Sequence, residues 1–469
     1  MASFRDPSVD RTKWLDGLRG IAAATVFIDH GFLGAVQWPF RSYWAEPASE
    51  NRRLMQLPPF RLLFAARSMV ALFFVISGYA ISINLLRVRG LTACQSSSNQ
   101  NVSFHSRVGS AITRRIFRIY LPVFIISTVS QVIFFMNLFT WDFEATLRGI
   151  EPWTAPWSHV TYLLGYMSDA MNPLALQHNE GLNAQLWTMP VEFRGSCIVY
   201  LLITGMARWR PQVRFVALAM ITSYFLWYGM WDTFAFIAGL LLAELKVADE
   251  NNHHYGKNEC QSGMKLPLSE RSNSKKQQKK GPSGKRNLKL ANLAVVVLGA
   301  YLLCLSDEEV LPFGYNFLTR FQPYHWQGLD EFNINWSANI SWKAIGAVLT
   351  IYGISNSSPH GSTSFLQRRL STPVAQYLGK ISFSLYLIHQ SVYHLWLMPI
   401  VKWLWYWLAS SQYPGPIEAP EENPFAWLTM WLGVFSILGP VTFWLSDQYT
   451  RHVDVKCVEL ARKLERHFV

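Results

Sequence analysis

WLDGLRGIAAATVFIDHGFLGAVQW, Trp14 to Trp38, decides the fold. The run is apolar enough to cross a bilayer, yet it holds Asp16, Arg19, Asp29 and His30. Ionisable side chains inside a membrane helix are costly and mark a functional site by default. Arg19 and His30 are 11 positions apart. At 100° per residue that is three turns plus about 20°, so they share one helix face roughly 16 Å apart along the axis. A fixed positive charge near the membrane surface with an imidazole deeper below it suits a long ligand with an anionic head and a reactive end.

The rest of the chain extends this reading. Of 469 residues half are hydrophobic, 15% aromatic and only 15% charged, with 20 Trp, and the mean hydropathy is positive. These values describe an all-α polytopic membrane protein. The net charge of +12 then bears on membrane topology and not on nucleic acid. Residues before Trp14 are polar, and the first apolar segment is long and lacks a small-residue cleavage site, so it reads as a signal anchor. Five cysteines with no CxxC and no ligand spacing support neither a disulfide framework nor a metal site.

Ten spans are expected: 16–37, 64–86, 115–139, 186–206, 213–230, 231–247, 290–306, 342–355, 382–408 and 426–447. The apolar stretch from Trp157 to Met167 is too short to cross and reads as interfacial or re-entrant. An even count places both termini on one side, and the positive-inside rule makes that side cytosolic. The predicted inner connections carry Arg87, Arg89, Arg107, Arg114 and Arg115, then Arg208, Arg210 and Arg214, then Arg368 and Arg369. The first outer loop breaks the pattern with Arg41, Arg52, Arg53 and Arg61. The expected division is a cytosolic tail over 1–13, a first core part over 14–248, a basic disordered cytosolic loop over 249–289, a second core part over 290–447 and a cytosolic tail over 448–469. Between Lys257 and Lys289 ten Lys/Arg face only Glu259 and Glu270, too polar a composition to offset its ordering entropy. Two sequons, at Asn335 and Asn339, fall in a predicted outer loop and are expected to accept N-glycans.

Several constellations bear on chemistry. Imidazole is the natural general base near neutral pH, which singles out His30. Asp29 points about 100° away from it, so a carboxylate from another helix is the better orienter, and Glu192 in LWTMPVEFRGS is the candidate. Trp187 and Arg194 accompany it, and Pro190 interrupts the helix there. RRIFRIYLP places Arg115 and Arg118 on one face, in a form suited to phosphate. LGKISFSLYLIHQSVYH adds Tyr386, His389 and His394, and FFVISGYAIS a small pair for close packing. No GxSxG, Walker, GxGxxG or HExxH motif is present, which argues against a serine hydrolase, an ATP-driven pump and a zinc protease.

LDGLRG followed by His30, then FFVISGY, RRIFRIYLP, LWTMPVEFR and SFSLYLIH, occur in that order, and the chain resembles the membrane-bound acyltransferase family 3, in its stand-alone eukaryotic, fungal-type branch. The resemblance implies transfer of an acyl group, often acetyl from acetyl-CoA, to a hydroxyl of a carbohydrate, lipid or small metabolite. By resemblance, His30 and Glu192 are the catalytic candidates, and Arg19, Arg115 and Arg118 the acyl-CoA ligands. Asp16, Trp187, Tyr386 and His389 stand as site-lining residues. The expected partners are acyl-CoA as co-substrate, a hydroxylated acceptor and the bilayer of the endoplasmic reticulum/Golgi or plasma membrane. A proton-coupled transporter is the competing class, and the repeats and paired broken helices it calls for are not visible.

Overall fold

A computed structural model describes residues 12–33, 35–36, 38–94, 98–141, 150–174, 181–261, 282–308, 311–326, 336–357 and 364–468. Among them every regular element is helical: α1 (Lys13–Phe32), α2 (Ala66–Cys94), α3 (Ser98–Phe135), α4 (Pro156–Met171), α5 (Thr188–Gly205), α6 (Pro211–Trp227), α7 (Trp231–Gln261), α8 (Pro282–Leu303), α9 (Trp336–Ser355), α10 (Phe365–Leu370), α11 (Pro373–Ala409), α12 (Ala419–Glu422), α13 (Pro424–Tyr449) and α14 (Val455–Phe468). Each of the ten expected apolar segments falls on one of these helices. Four stretches, Ala66–Arg89, Phe104–Phe135, Ala184–Gly205 and Pro424–Arg466, are long and apolar enough to cross a membrane by length and composition. The 16 residues of α4 rise only about 24 Å, short of a hydrocarbon core of about 30 Å.

One buried apolar cluster runs from Trp14 and Val26 of α1 through Val75, Val123, Val199, Phe236 and Ile351 to Leu385 and Val434. The two parts flanking the basic segment therefore share a core. Small residues set the closest contacts, as expected where apolar helices must pack by shape. A Cβ on Gly78 of α2 would lie 2.1 Å from the Phe236 carbonyl oxygen of α7, and one on Gly239 of α7 2.4 Å from the Val75 oxygen. The outward side of α6 is the opposite case. Val213, Val216, Met220, Tyr224 and Trp227 are all more than half exposed and recur every three or four residues, an apolar stripe of the kind a lipid-facing helix shows.

Several expectations need correction. The loop over 249–289 is helical at both ends, because α7 continues to Gln261 and α8 begins at Pro282, while 262–281 lie outside the described residues. The segment expected as a C-terminal tail is helical over Val455–Phe468. A π-turn over Thr450–Asp454 joins α13 to α14. Cys457 and Ala461 of α14 are buried, and Glu465 reaches Arg114 of α3 at 3.6 Å. The arginines of the loop expected to lie outside, anomalous as topology signals, hold that loop together: Arg61 is buried and donates to the carbonyls of Pro39 (2.9 Å), Phe40 (2.8 Å) and Arg41 (2.6 Å). Arg89 and Arg214, counted as inner-side charges, converge on Glu244 of α7 at 2.5 and 2.8 Å.

Candidate active site

The site grows from the contact of α1 with α11. A Cβ on Gly20 would lie 2.3 Å from the Gly379 amide nitrogen, and one on Gly379 would lie 2.3 Å from the Asp16 carbonyl oxygen. The two backbones touch here, and only glycine leaves room. Arg19 fastens the contact, its Nε donating to Ser382 Oγ (2.9 Å) and its Nη2 to the Gly379 carbonyl (3.0 Å). Higher up, the Tyr393 hydroxyl donates to the Phe27 carbonyl at 2.5 Å. The helices run parallel, so ten residues beyond the Gly20–Gly379 contact the register brings His30 to His389. The His30 Nδ1 to His389 Nε2 distance is 2.8 Å.

His389 is buried, and its Nδ1 lies 3.1 Å from the Leu385 carbonyl oxygen. The two imidazole planes are within 2° of parallel with centroids 5.0 Å apart. That separation is the 2.8 Å nitrogen distance plus roughly one ring radius on each side, so the rings meet edge to edge and not face to face. Asp29 takes no part in the pair. Its Oδ1 accepts the Ala66 amide at 2.9 Å, capping the first residue of α2. Glu192 was the expected partner of His30, and the structure differs: the group within hydrogen-bond distance of His30 Nδ1 is a second imidazole.

Glu192 stands elsewhere. Its Oε1 accepts from Ser77 Oγ of α2 at 2.6 Å and forms an ion pair with Arg115 of α3, whose Nε donates to Ser196 Oγ at 3.1 Å. One turn earlier on α5, Thr188 Oγ1 lies 2.8 Å from the Tyr386 hydroxyl, which donates to the Gln185 carbonyl at 2.6 Å. The Tyr386 ring lies 5.9 Å from that of His389. Ser382, Tyr386 and His389 are spaced i, i+4, i+7 along α11, one face of the helix. Trp187, at the 3-10 turn before α5, packs against the core.

The three arginines come together at the lower end of this face. Arg118 is exposed, no hydrogen bond to a described residue holds its head, and Arg115, Arg19, Asp16 and Asp454 all lie within electrostatic reach of it. Arg19 also pairs with Asp16 at 3.3 Å. Sequence reasoning took Ser77 for a packing residue only and missed Ser196 and Asp454. The first two are ordinary in composition, and Asp454 is delivered by the π-turn, which no sequence signal marks. Asn339 is buried and its Nδ2 donates to the Glu308 carbonyl, so the nitrogen that would carry a glycan is occupied in this fold. Asn335 lies outside the described residues.

The chain is similar to known acyltransferases. The chain is 26% identical over 398 residues, 81% of its length and 71% of the relative's, to the O-acetyltransferase PaAT-1 of Phomopsis amygdali. It is 23% identical to acyltransferase clz18 of Cochliobolus lunatus, covering 84% of this chain and 85% of that one. It is also 23% identical to acyltransferase R4 of a Phoma species, covering 98% and 97%. No solved structure matches the chain. The acyltransferase-3 family model, described as an acyltransferase domain, matches residues 12–446, and the chain belongs to that family.

Proposed function

We propose that this protein is a multi-pass membrane O-acyltransferase that moves an acyl group, acetyl in the simplest case, from acyl-CoA to a hydroxyl of a carbohydrate, lipid or small secondary metabolite. In this reading the ten apolar helices span the bilayer, both termini are cytosolic, and the membrane belongs to the endoplasmic reticulum/Golgi or the cell surface. The observation that carries the proposal is the polar lane of α11. Arginines gather beside its lower end and His30 meets His389 at its upper end.

The donor's phosphates sit on the arginine cluster, where Arg gives geometrically matched, charge-assisted hydrogen bonds. Arg118 is the primary ligand because no hydrogen bond to a described residue holds its head and the other two arginines lie within electrostatic reach of it. Arg115 and Arg19 are already tied to Glu192 and to α11, and they contribute field and shape. The acyl thioester then reaches His30, at the depth that the helical rise from Arg19 sets. The His30 imidazole removes the acceptor hydroxyl proton while the oxygen bonds to the thioester carbonyl carbon. The C–S bond breaks, and the thiolate leaves and recovers the proton from the imidazole. A positioned base of this kind supplies about 10²–10⁴-fold in rate.

The test is CoA release by the purified protein in lipid nanodiscs with acetyl-CoA, with and without an extract of hydroxylated metabolites. Extract-stimulated release that disappears in His30→Ala, with CoA still bound by that variant, is the expected result. Wild-type turnover in His30→Ala would overturn the assignment of the base.

A further inference from the structure

We propose that His389 is the positioning residue that decides which nitrogen of His30 acts as the base. This rests on the reading of His30 as general base and adds to it a fixed tautomer. The argument is one of donors and acceptors. The Leu385 carbonyl can only accept, so His389 Nδ1, 3.1 Å away, carries a proton. A neutral imidazole has one N–H and one lone pair, so His389 presents its lone pair at Nε2. His30 Nδ1, 2.8 Å from that nitrogen, must then be the donor. The lone pair of His30 is left on Nε2, the ring nitrogen that makes no contact with His389.

The ring geometry supports the assignment. Imidazole lone pairs and N–H bonds lie in the ring plane, and planes within 2° of parallel that meet edge to edge aim the Nδ1–H along the His389 lone pair. The carbonyl that holds His389 Nδ1 belongs to the residue one turn earlier on the same helix, so the bond that orients His389 lies within α11. The register that brings the rings together comes from the Gly20–Gly379 contact ten residues below.

During transfer the acceptor proton moves to His30 Nε2, the new C–O bond forms, and the C–S bond breaks. The CoA thiolate takes that proton back, and His389 keeps its own proton throughout. While His30 is an imidazolium, its Nδ1–H bond to His389 becomes charge-assisted and stronger. A carboxylate orienter would do this too, but as a permanent anion it is costly to desolvate unless a cation or several donors offset it. A neutral imidazole leaves the resting pair uncharged.

The experiment compares His389→Gln with His389→Leu in the full-length protein, measuring kcat, KM for acetyl-CoA and thermal unfolding, with His30→Ala alongside. Gln keeps an oxygen acceptor at about the reach of Nε2, whereas Leu removes the acceptor at similar size. The expected result is a fall in kcat of about 10²-fold or more for the Leu variant, with KM changed less than twofold, and at least tenfold of that loss recovered by Gln. Equal losses in Leu and Gln, or a Leu variant at wild-type rate while His30→Ala is inactive, would overturn the role of His389 and leave His30 as the base. An active His30→Ala would remove the underlying reading instead. If the Leu variant does not unfold cooperatively, His389→Asn replaces it, because Asn sets the same amide one carbon short of His30.

Discussion

Gly379→Ala is the sharpest test of how the fold sets up the chemistry. The new Cβ would lie 2.3 Å from the Asp16 carbonyl oxygen and 2.7 Å from its carbon, both helix backbone and neither able to swing aside. Restoring an ordinary contact of at least 3.4 Å requires α1 and α11 to separate by about 1.1 Å. If α1 moves as a rigid rod, the 2.8 Å bond between His30 and His389 opens to about 3.9 Å, beyond the roughly 3.2 Å limit for such a bond. Misplacement of a catalytic group by about 1 Å costs on the order of 10²-fold. The expected outcome is therefore a drop of about that size in acetyl-CoA turnover, with cooperative unfolding retained. Gly109→Ala is the control: nothing lies within 4 Å of its Cβ on exposed α3 surface. It should keep full activity and gain about 0.5–1 kcal/mol from helix propensity. Turnover in Gly379→Ala within threefold of wild type would refute the claim that this contact sets the histidine register.

Other substitutions separate binding from stability. Arg118→Ala should raise KM for acetyl-CoA at least tenfold with little effect on unfolding temperature, because no hydrogen bond to a described residue is lost; an unchanged KM in steady-state kinetics would contradict its role. Glu244→Gln leaves Arg89 and Arg214 facing a neutral group at a site where the Arg89 and Glu244 side chains are 10% and 8% exposed. The cost should be about 3–5 kcal/mol, read as a lowered thermal or denaturant transition, with KM for the donor unchanged in whatever protein still folds.

The helices were legible because apolar runs are the signal that burial and lipid impose on a sequence. The signal stops where that demand stops. α3 begins at Ser98 and not near residue 115, since its polar first turns need no apolar face toward lipid. α11 starts at Pro373, nine residues before the expected span, for the same reason. α14 lies in the stretch expected as a tail, after the last expected span. Its buried Cys457 and Ala461, with Leu464, recur at i, i+4, i+7, an amphipathic stripe that packs on α3.

The site was legible only along single helices. Arg19 and His30 share a face of α1 by arithmetic alone, and that arithmetic survives in the structure because nothing interrupts α1 between them. What the sequence could not carry was the partner 359 residues away: a contact between helices depends on register, and register is set by backbone approach. Here the approach is Gly20 on Gly379, and because parallel helices rise together, the same ten-residue step leads from that contact to each histidine. α1 therefore acts as a ruler with one fixed point. Arg19 lies beside the fixed point and His30 lies ten residues beyond it, so the distance from charge to imidazole is a property of one helix. Whether that imidazole is correctly partnered depends on two helices. Changes within α1 that preserve helicity should leave the spacing intact, while a single added methyl group at the glycine contact disrupts the pairing.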